Sequence, residues 1–137
     1  MIVACGVALH RETGPGPLDT VYEAVLARDL EARGLRVARQ IPIPIEIPGL
    51  RLDEGFRADL IVEDTVLVEL KSVEKVTKAH RKQVLTYPRL MGIRLGYLLN
   101  FGEALMRDGI SRIISGDIEQ ISLRRVLHIL RVLCASV

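Results

Sequence analysis

Apolar and polar positions alternate most cleanly from Arg57 to Lys71, RADLIVEDTVLVELK, where two runs flank the polar break Glu63-Asp64-Thr65. Alternation with a period of two on either side of a short polar break predicts an antiparallel hairpin. A three-residue loop pairs Val62 with Val66, Leu60 with Val68 and Ala58 with Leu70, which makes one face wholly apolar. The opposite face then carries Asp59 across from Glu69, with Lys71 beside them because residues two apart share a face. A two-residue loop sets Asp59 against Val68 and mixes polar with apolar residues on both faces. The pattern therefore selects the odd-length loop or a bulge.

The same reading extends to the rest of the chain. Ile2, Val3, Cys5, Gly6, Val7 and Leu9 suit a short helix that ends before Gly14-Pro15-Gly16. A longer helix is expected from Leu18 to Arg33, with Pro17 in its first turn, Gly34 at its end and a stripe of Leu18, Val21, Tyr22, Val25, Leu26 and Leu30. Asp19 and Glu23 stand four apart on one face, where two acids repel unless a cation lies beside them. Next comes LRVARQIPIPIEI, residues 35–47, whose Pro42 and Pro44 share one parity and donate no ladder bonds, so an edge or bulged strand is expected. Pro48-Gly49 turns the chain toward Leu52 to Val62, which gives three consecutive antiparallel strands. Beyond Ser72 to Thr77, Thr77 caps a helix over Lys78 to Met91 that places Gln83 and Tyr87 on one face; Pro88 should kink or end it near Tyr87. Arg94 to Asn100 reads as a buried strand. The order is that of an α/β (α+β) fold with a mixed central sheet flanked by helices. A tail, 116–137, carries Leu123, Val126, Leu127, Leu130 and Leu133 at helical spacing. It reads as a helical extension packed on its own sheet or forming a homodimer contact.

At 137 residues and 49% hydrophobic, the chain supports one domain, 1–137, with a real core. A net charge of +2 excludes a global basic field, but the charges are unevenly spread. Residues 1–70 hold 12 acids against 7 bases, whereas residues 71–94 hold seven bases against Glu74 alone. Lys75, Lys78, Arg81 and Lys82 lead this basic run, which suits a polyanion or a solvated helix face. Cys5 and Cys134 show no metal-ligand spacing, no targeting segment is expected at the N-terminus, and no stretch approaches the roughly 20 apolar residues of a membrane span. A reduced, cytoplasmic protein that makes no membrane contact is the simplest expectation.

Asp59, Glu69 and Lys71 on one strand face have a chemical use. Hard cations such as Mg2+ take one or two carboxylates together with water and substrate phosphate. A nearby lysine can orient or deprotonate the attacking water, or stabilise charge on the phosphate. The commonplace alternative is an ordinary Glu-x-Lys on a solvated strand.

The combination of Asp59, Glu69-x-Lys71 and Gln83-xxx-Tyr87 with this element order resembles the restriction-endonuclease-like core of the PD-(D/E)XK nuclease superfamily, in its branch with a Gln-xxx-Tyr helix. More narrowly, HRETGPGPLDTVYEAVL (10–26), LDEGFRADLIVEDTVLVELKSVEK (52–75), QVLTY (83–87) and LGYLLNFG (95–102) resemble the small bacterial proteins of the GxxExxY family, over about residues 2–115. The name pattern falls on Gly16, Asp19 and Tyr22, so Asp stands where Glu is expected and Glu23 competes for its place. The resemblance implies that Asp59 and Glu69, with the Leu70 carbonyl, hold Mg2+ or Mn2+, and that Asp19 or Glu23 completes the acidic shell. Lys71 then assists the water, Gln83 and Tyr87 orient the site or touch a phosphate, and the reaction is phosphodiester hydrolysis in DNA, with RNA second. A different class stays open: a non-catalytic nucleic-acid-binding or protein-interaction module on the same fold, since the chain has no separate recognition element and only five aromatics, Tyr22, Phe56, Tyr87, Tyr97 and Phe101, available for base stacking.

Overall fold

The computed structural model describes residues 1–114, so the expected extension 116–137 and its dimer contact lie outside the described residues. Helices α1 (Ile2–Thr13) and α2 (Asp19–Ala32) precede β1 (Val37–Ile47), β2 (Leu50–Val62) and β3 (Val66–Lys71). Helix α3 (Lys78–Leu90), β4 (Leu95–Asn100), a 3-10 turn (Met106–Gly109) and β5 (Ile110–Ile114) follow. The strands form one five-stranded sheet in chain order. All neighbours are antiparallel except β3 and β4, which run parallel with α3 as their crossover. The sheet is therefore mixed, and its two faces are covered by different helices. Ile2, Cys5, Leu9, Tyr22, Leu26 and Leu30 of α1 and α2 pack on Leu60, Val62, Val68, Leu70 and Leu99. On the other face Val84 and Tyr87 of α3 pack on Ala58, Ile61, Leu67 and Leu98. Among the described residues no helix is long and apolar enough to cross a membrane.

Local chemistry explains the boundaries. Helix α2 ends in a Schellman motif: the Leu35 N–H reaches the Leu30 carbonyl and Gly34 N–H that of Glu31, with Gly34 at φ 84° in the left-handed region. Pro17 falls just outside the helix, because Leu18 is its N-cap. Thr77 caps α3 as expected, in a reciprocal box with His80. Pro88 does not stop this helix near Tyr87; it runs on to Leu90. In the last turn proline removes a single hydrogen bond, and its own carbonyl accepts from Ile93 N–H at 2.7 Å. Strand β1 is an edge strand and also irregular, with a register shift between Ile43 and Ile45 at Pro44. The last strand, β5, had no counterpart in the sequence pattern.

The hairpin pairs as the pattern requires for Val62 with Val66 and Leu60 with Val68, and there the ladder stops. The expected pairing of Ala58 with Leu70 on one apolar face does not occur. Leu60 belongs to the α1/α2 face, but Ala58, two residues earlier, belongs to the α3 face. Ala38 and Ile41 on β1 likewise both reach the α3 face although they are three apart. The β1–β2 ribbon thus changes parity at Gln40 and Asp59, where Gln40 has a positive φ of 51°. That step opens the sheet between β2 and β3.

Candidate functional site

Asp59 sits in this opening. Its Oδ2 accepts the Leu70 N–H at 2.8 Å, a bond that replaces the missing strand ladder, and its own N–H donates to Glu69 Oε1 at 3.2 Å. Asp59 and Glu69 are therefore neighbours through side chain and backbone rather than as a cross-strand pair. Within a strand a residue's N–H and C=O point to the same side. The Leu70 carbonyl consequently faces the same opening, while Lys71 turns its carbonyl toward β4, where Phe101 N–H donates to it at 2.8 Å. Glu69 is only 4% exposed. Burial first, and the charge of Asp59 second, push its carboxyl well above the usual carboxylate range.

Helix α2 brings both of its acids to this end of the sheet, with different surroundings. Glu23 is buried, takes Arg39 Nε at 3.3 Å and accepts Gln40 Nε2 at 2.8 Å. The same Gln40 nitrogen lies 3.4 Å from Asp59 Oδ1, so Gln40 spans the two carboxylates. Asp19 is exposed and feels the charges of Lys71, Asp59 and His80; partial burial raises its carboxyl. Beside it a cleft of about 450 Å³, lined by Gly16, Pro17, Leu18, Asp19, Thr20 and Ser72, opens next to Lys71.

Helix α3 covers the same row from the other face with His80, Gln83 and Tyr87, three and four residues apart on one stripe. Tyr87 is buried against Phe56, ring centroids 4.8 Å apart, and burial followed by the Glu69 and Asp59 charges raises its hydroxyl far above a free tyrosine. It stays a proton donor at neutral pH. Gln83 lies half-buried one turn before it. At the other end of the stripe, burial and Lys71 lower the His80 pKa. The Thr77 N–H donates to its Nδ1 at 3.2 Å, which leaves Nε2 as the protonated nitrogen of the neutral ring. Lys75, Lys78, Arg81 and Lys82 are exposed around the start of this helix.

Asn100 fixes the far end of β3. It is fully buried, and its side chain accepts Val73 N–H at 3.0 Å, donates to Val73 O at 2.9 Å and accepts Gly102 N–H at 3.1 Å. The backbone just after Lys71 is thus clamped. Tyr22, the last residue of the expected motif, is buried and stacks on Phe101 with centroids 4.1 Å apart. Tyr22, Tyr87 and Phe101 belong to the core, so three of the five aromatics are not open to bases.

Sequence reasoning missed Gln40, His80 and Asn100. His80 was legible in hindsight as Thr-x-x-His at a helix start, on the stripe of Gln83 and Tyr87. Asn100 was the polar end of an apolar strand. For Gln40 the sole signal was apolar spacing that jumps from Ala38 to Ile41.

The oxygen-only donors Asp59, Glu69 and the Leu70 carbonyl fit a hard divalent cation. Among the described residues no three His, Cys, Asp or Glu side chains cluster closely enough to hold a metal by themselves. A cation held here would have two carboxylates and a backbone carbonyl from the protein and would need water and substrate for the rest. No curated protein and no solved structure matches the chain. The family model of the PD-(D/E)XK nuclease superfamily matches residues 1–113, all but the last residue of the sheet-and-helix core described above. Nucleases of this superfamily typically use divalent metals and act on nucleic acid. With that match over most of its length and the mixed sheet it requires, the chain belongs to the PD-(D/E)XK nuclease superfamily.

Proposed function

We propose that the protein is a deoxyribonuclease of the GxxExxY branch that hydrolyses phosphodiester bonds in DNA, with RNA the second candidate, and that its metal is Mg2+ or Mn2+. The observation that carries this reading is the pairing of Asp59 and Glu69 in the β2–β3 opening, next to the Leu70 backbone, with Lys71 two residues after Glu69. A divalent ion held by Asp59, Glu69 and the Leu70 carbonyl would supply Lewis-acid polarisation of a phosphate oxygen and would lower the pKa of the attacking water.

The chain's own groups do the rest. Asp59 and Glu69 would hold the ion through their carboxylate oxygens, Glu69 from a buried position. Lys71, beside Asp19 at the mouth of the cleft, puts a fixed positive charge where the attacking water and the phosphate meet. Tyr87 presents a hydroxyl that stays protonated, and Gln83 lies one turn before it to orient the site or a phosphate. The exposed Lys75, Lys78, Arg81 and Lys82 neutralise neighbouring phosphates of the strand. Cys5 is a buried free thiol, in keeping with a reduced, cytoplasmic setting.

Two measurements test this. Calorimetry with Mn2+ should show binding to the wild type and little to Asp59→Asn; equal titrations would sink the metal site. Lys71→Ala should bind Mn2+ nearly as the wild type does but cleave plasmid DNA orders of magnitude more slowly, since it acts on the transition state and does not ligate the ion. Undiminished cleavage by this variant would trace the activity to another source.

A further inference from the structure

Gln40 is a long, exposed side chain on a backbone φ of 51°. Only glycine, asparagine and aspartate hold that left-handed region readily, so elsewhere it persists when surrounding contacts determine it. The contacts are on two carboxylates. A regular strand would send Gln40 to the α3 face together with Ala38. The left-handed step instead swings its amide toward α2, where it donates to Glu23 Oε2 at 2.8 Å and to Asp59 Oδ1 at 3.4 Å. Glu23 is itself anchored by Arg39 at 3.3 Å. Since the other oxygen of Asp59 takes the Leu70 N–H, both of its oxygens have a donor, from opposite directions. The plane of that carboxylate is fixed before any ion arrives.

We infer that Gln40 is a positioning residue through which Glu23 acts on the metal site: Gln40 holds Asp59 in orientation, and Glu23 anchors Gln40 rather than ligating the ion. The inference rests on the reading of Asp59 and Glu69 as the cation site given above. It separates the two acids of α2, leaving Asp19 beside Lys71 as the one that faces the cleft. Groups that orient a metal-binding side chain from behind typically contribute 10- to 100-fold to metal affinity.

The test is Mn2+ calorimetry together with thermal melting on the wild type, Gln40→Asn, Glu23→Leu and the double variant. Asparagine tolerates the left-handed backbone but is one methylene too short to span both carboxylates, and leucine fills the buried Glu23 position without anchoring an amide. Gln40→Asn should bind Mn2+ about 10- to 100-fold more weakly with little change in Tm. Glu23→Leu should lose a similar factor, and the double variant no more than either, because the two act in series. If Gln40→Asn binds as the wild type does, or lowers Tm alone, the inference is overturned. If the two losses multiply, Glu23 acts independently and the inference falls while the nuclease reading stands. Should Glu23→Leu fail to fold, Gln40→Asn against the wild type decides by the same two readouts. A wild type that takes up no Mn2+ overturns both the metal reading and this one, without recourse to any variant.

Discussion

Glu69 costs the metal-free protein stability. Its carboxyl is raised well above its ordinary value of 4.5, chiefly by burial and then by Asp59. Below the unfolded value the group is protonated in both states and contributes nothing. As pH rises from there toward the folded value the unfolded chain ionises first, so stability falls, at about 1.4 kcal/mol for each unit separating the two. Above the folded value the full cost is present. Glutamine keeps the acceptor for the Asp59 N–H and carries no charge. Glu69→Gln should therefore melt higher than the wild type at pH 8 without metal, and the difference should shrink toward pH 4. At this chain length a stabilisation of about 1 kcal/mol is about 2–8 °C in Tm, well within reach of a melting curve. Added Mn2+ should raise the Tm of the wild type and leave that of the variant nearly unchanged. A variant that melts below the wild type at pH 8 would show that the buried carboxylate is already compensated within the protein.

At the scale of elements, the clamp after β3 sets where Lys71 points. Gly102 has no room for a side chain: a Cβ placed on it would lie 2.2 Å from the Val73 carbonyl oxygen, which is backbone that Asn100 holds in place. Gly102→Ala must push the Ser72–Val73 segment away, and overpacking of this kind costs about 1–3 kcal/mol. Urea denaturation should read that loss, and cleavage should fall further than stability does, because the displaced backbone is the one that follows Lys71. A variant as stable as the wild type would mean that the segment yields freely. The elements themselves were legible because each carries a single period. The 63–65 loop followed from parity alone, α2 from its stripe and Gly34, and the edge position of β1 from its prolines. What lay beyond the pattern was wherever the period is broken by backbone rather than by residue type. The parity change at Gln40 and Asp59 is a φ of the wrong sign at a glutamine, which no composition rule marks. Pro88 marked a helix end a turn too early, because its position in the last turn made it cheap. Asp59, Glu69 and Lys71 were legible as candidates because charge interrupts an apolar period there, whereas Gln40, which spans Glu23 and Asp59, and Asn100, which holds the backbone after Lys71, carry no charge to mark them.

At the scale of the whole molecule, the cations leading into α3 and the acids of the candidate site have opposite effects on a polyanion, and together they make a prediction about nucleic acid that needs no cleavage. The exposed Lys75, Lys78, Arg81 and Lys82 lie at the start of α3, while Asp59, Glu69, Glu23 and Asp19 gather at the sheet end it covers. Four cations on four phosphates give a slope of log affinity against log salt of about −3.6, so a fourfold rise in salt should weaken DNA binding about 150-fold. Replacing Lys78 and Lys82 together by alanine should reduce the slope by about 1.8. The acids act in the other direction. They repel a strand drawn in by the lysines until a divalent ion neutralises them, so Ca2+ at matched ionic strength should tighten binding even though it replaces none of the lysine contacts. Asp59→Asn removes part of the repulsion, which should strengthen metal-free binding, and removes a ligand, which should abolish the calcium response. Fluorescence anisotropy with labelled single- and double-stranded DNA at pH 8 reads all of these together. If Ca2+ weakens wild-type binding and Asp59→Asn behaves identically, the divalent ion is merely screening the lysines. The fold would then serve as a binding module, and the acids at its centre would have no part in holding DNA.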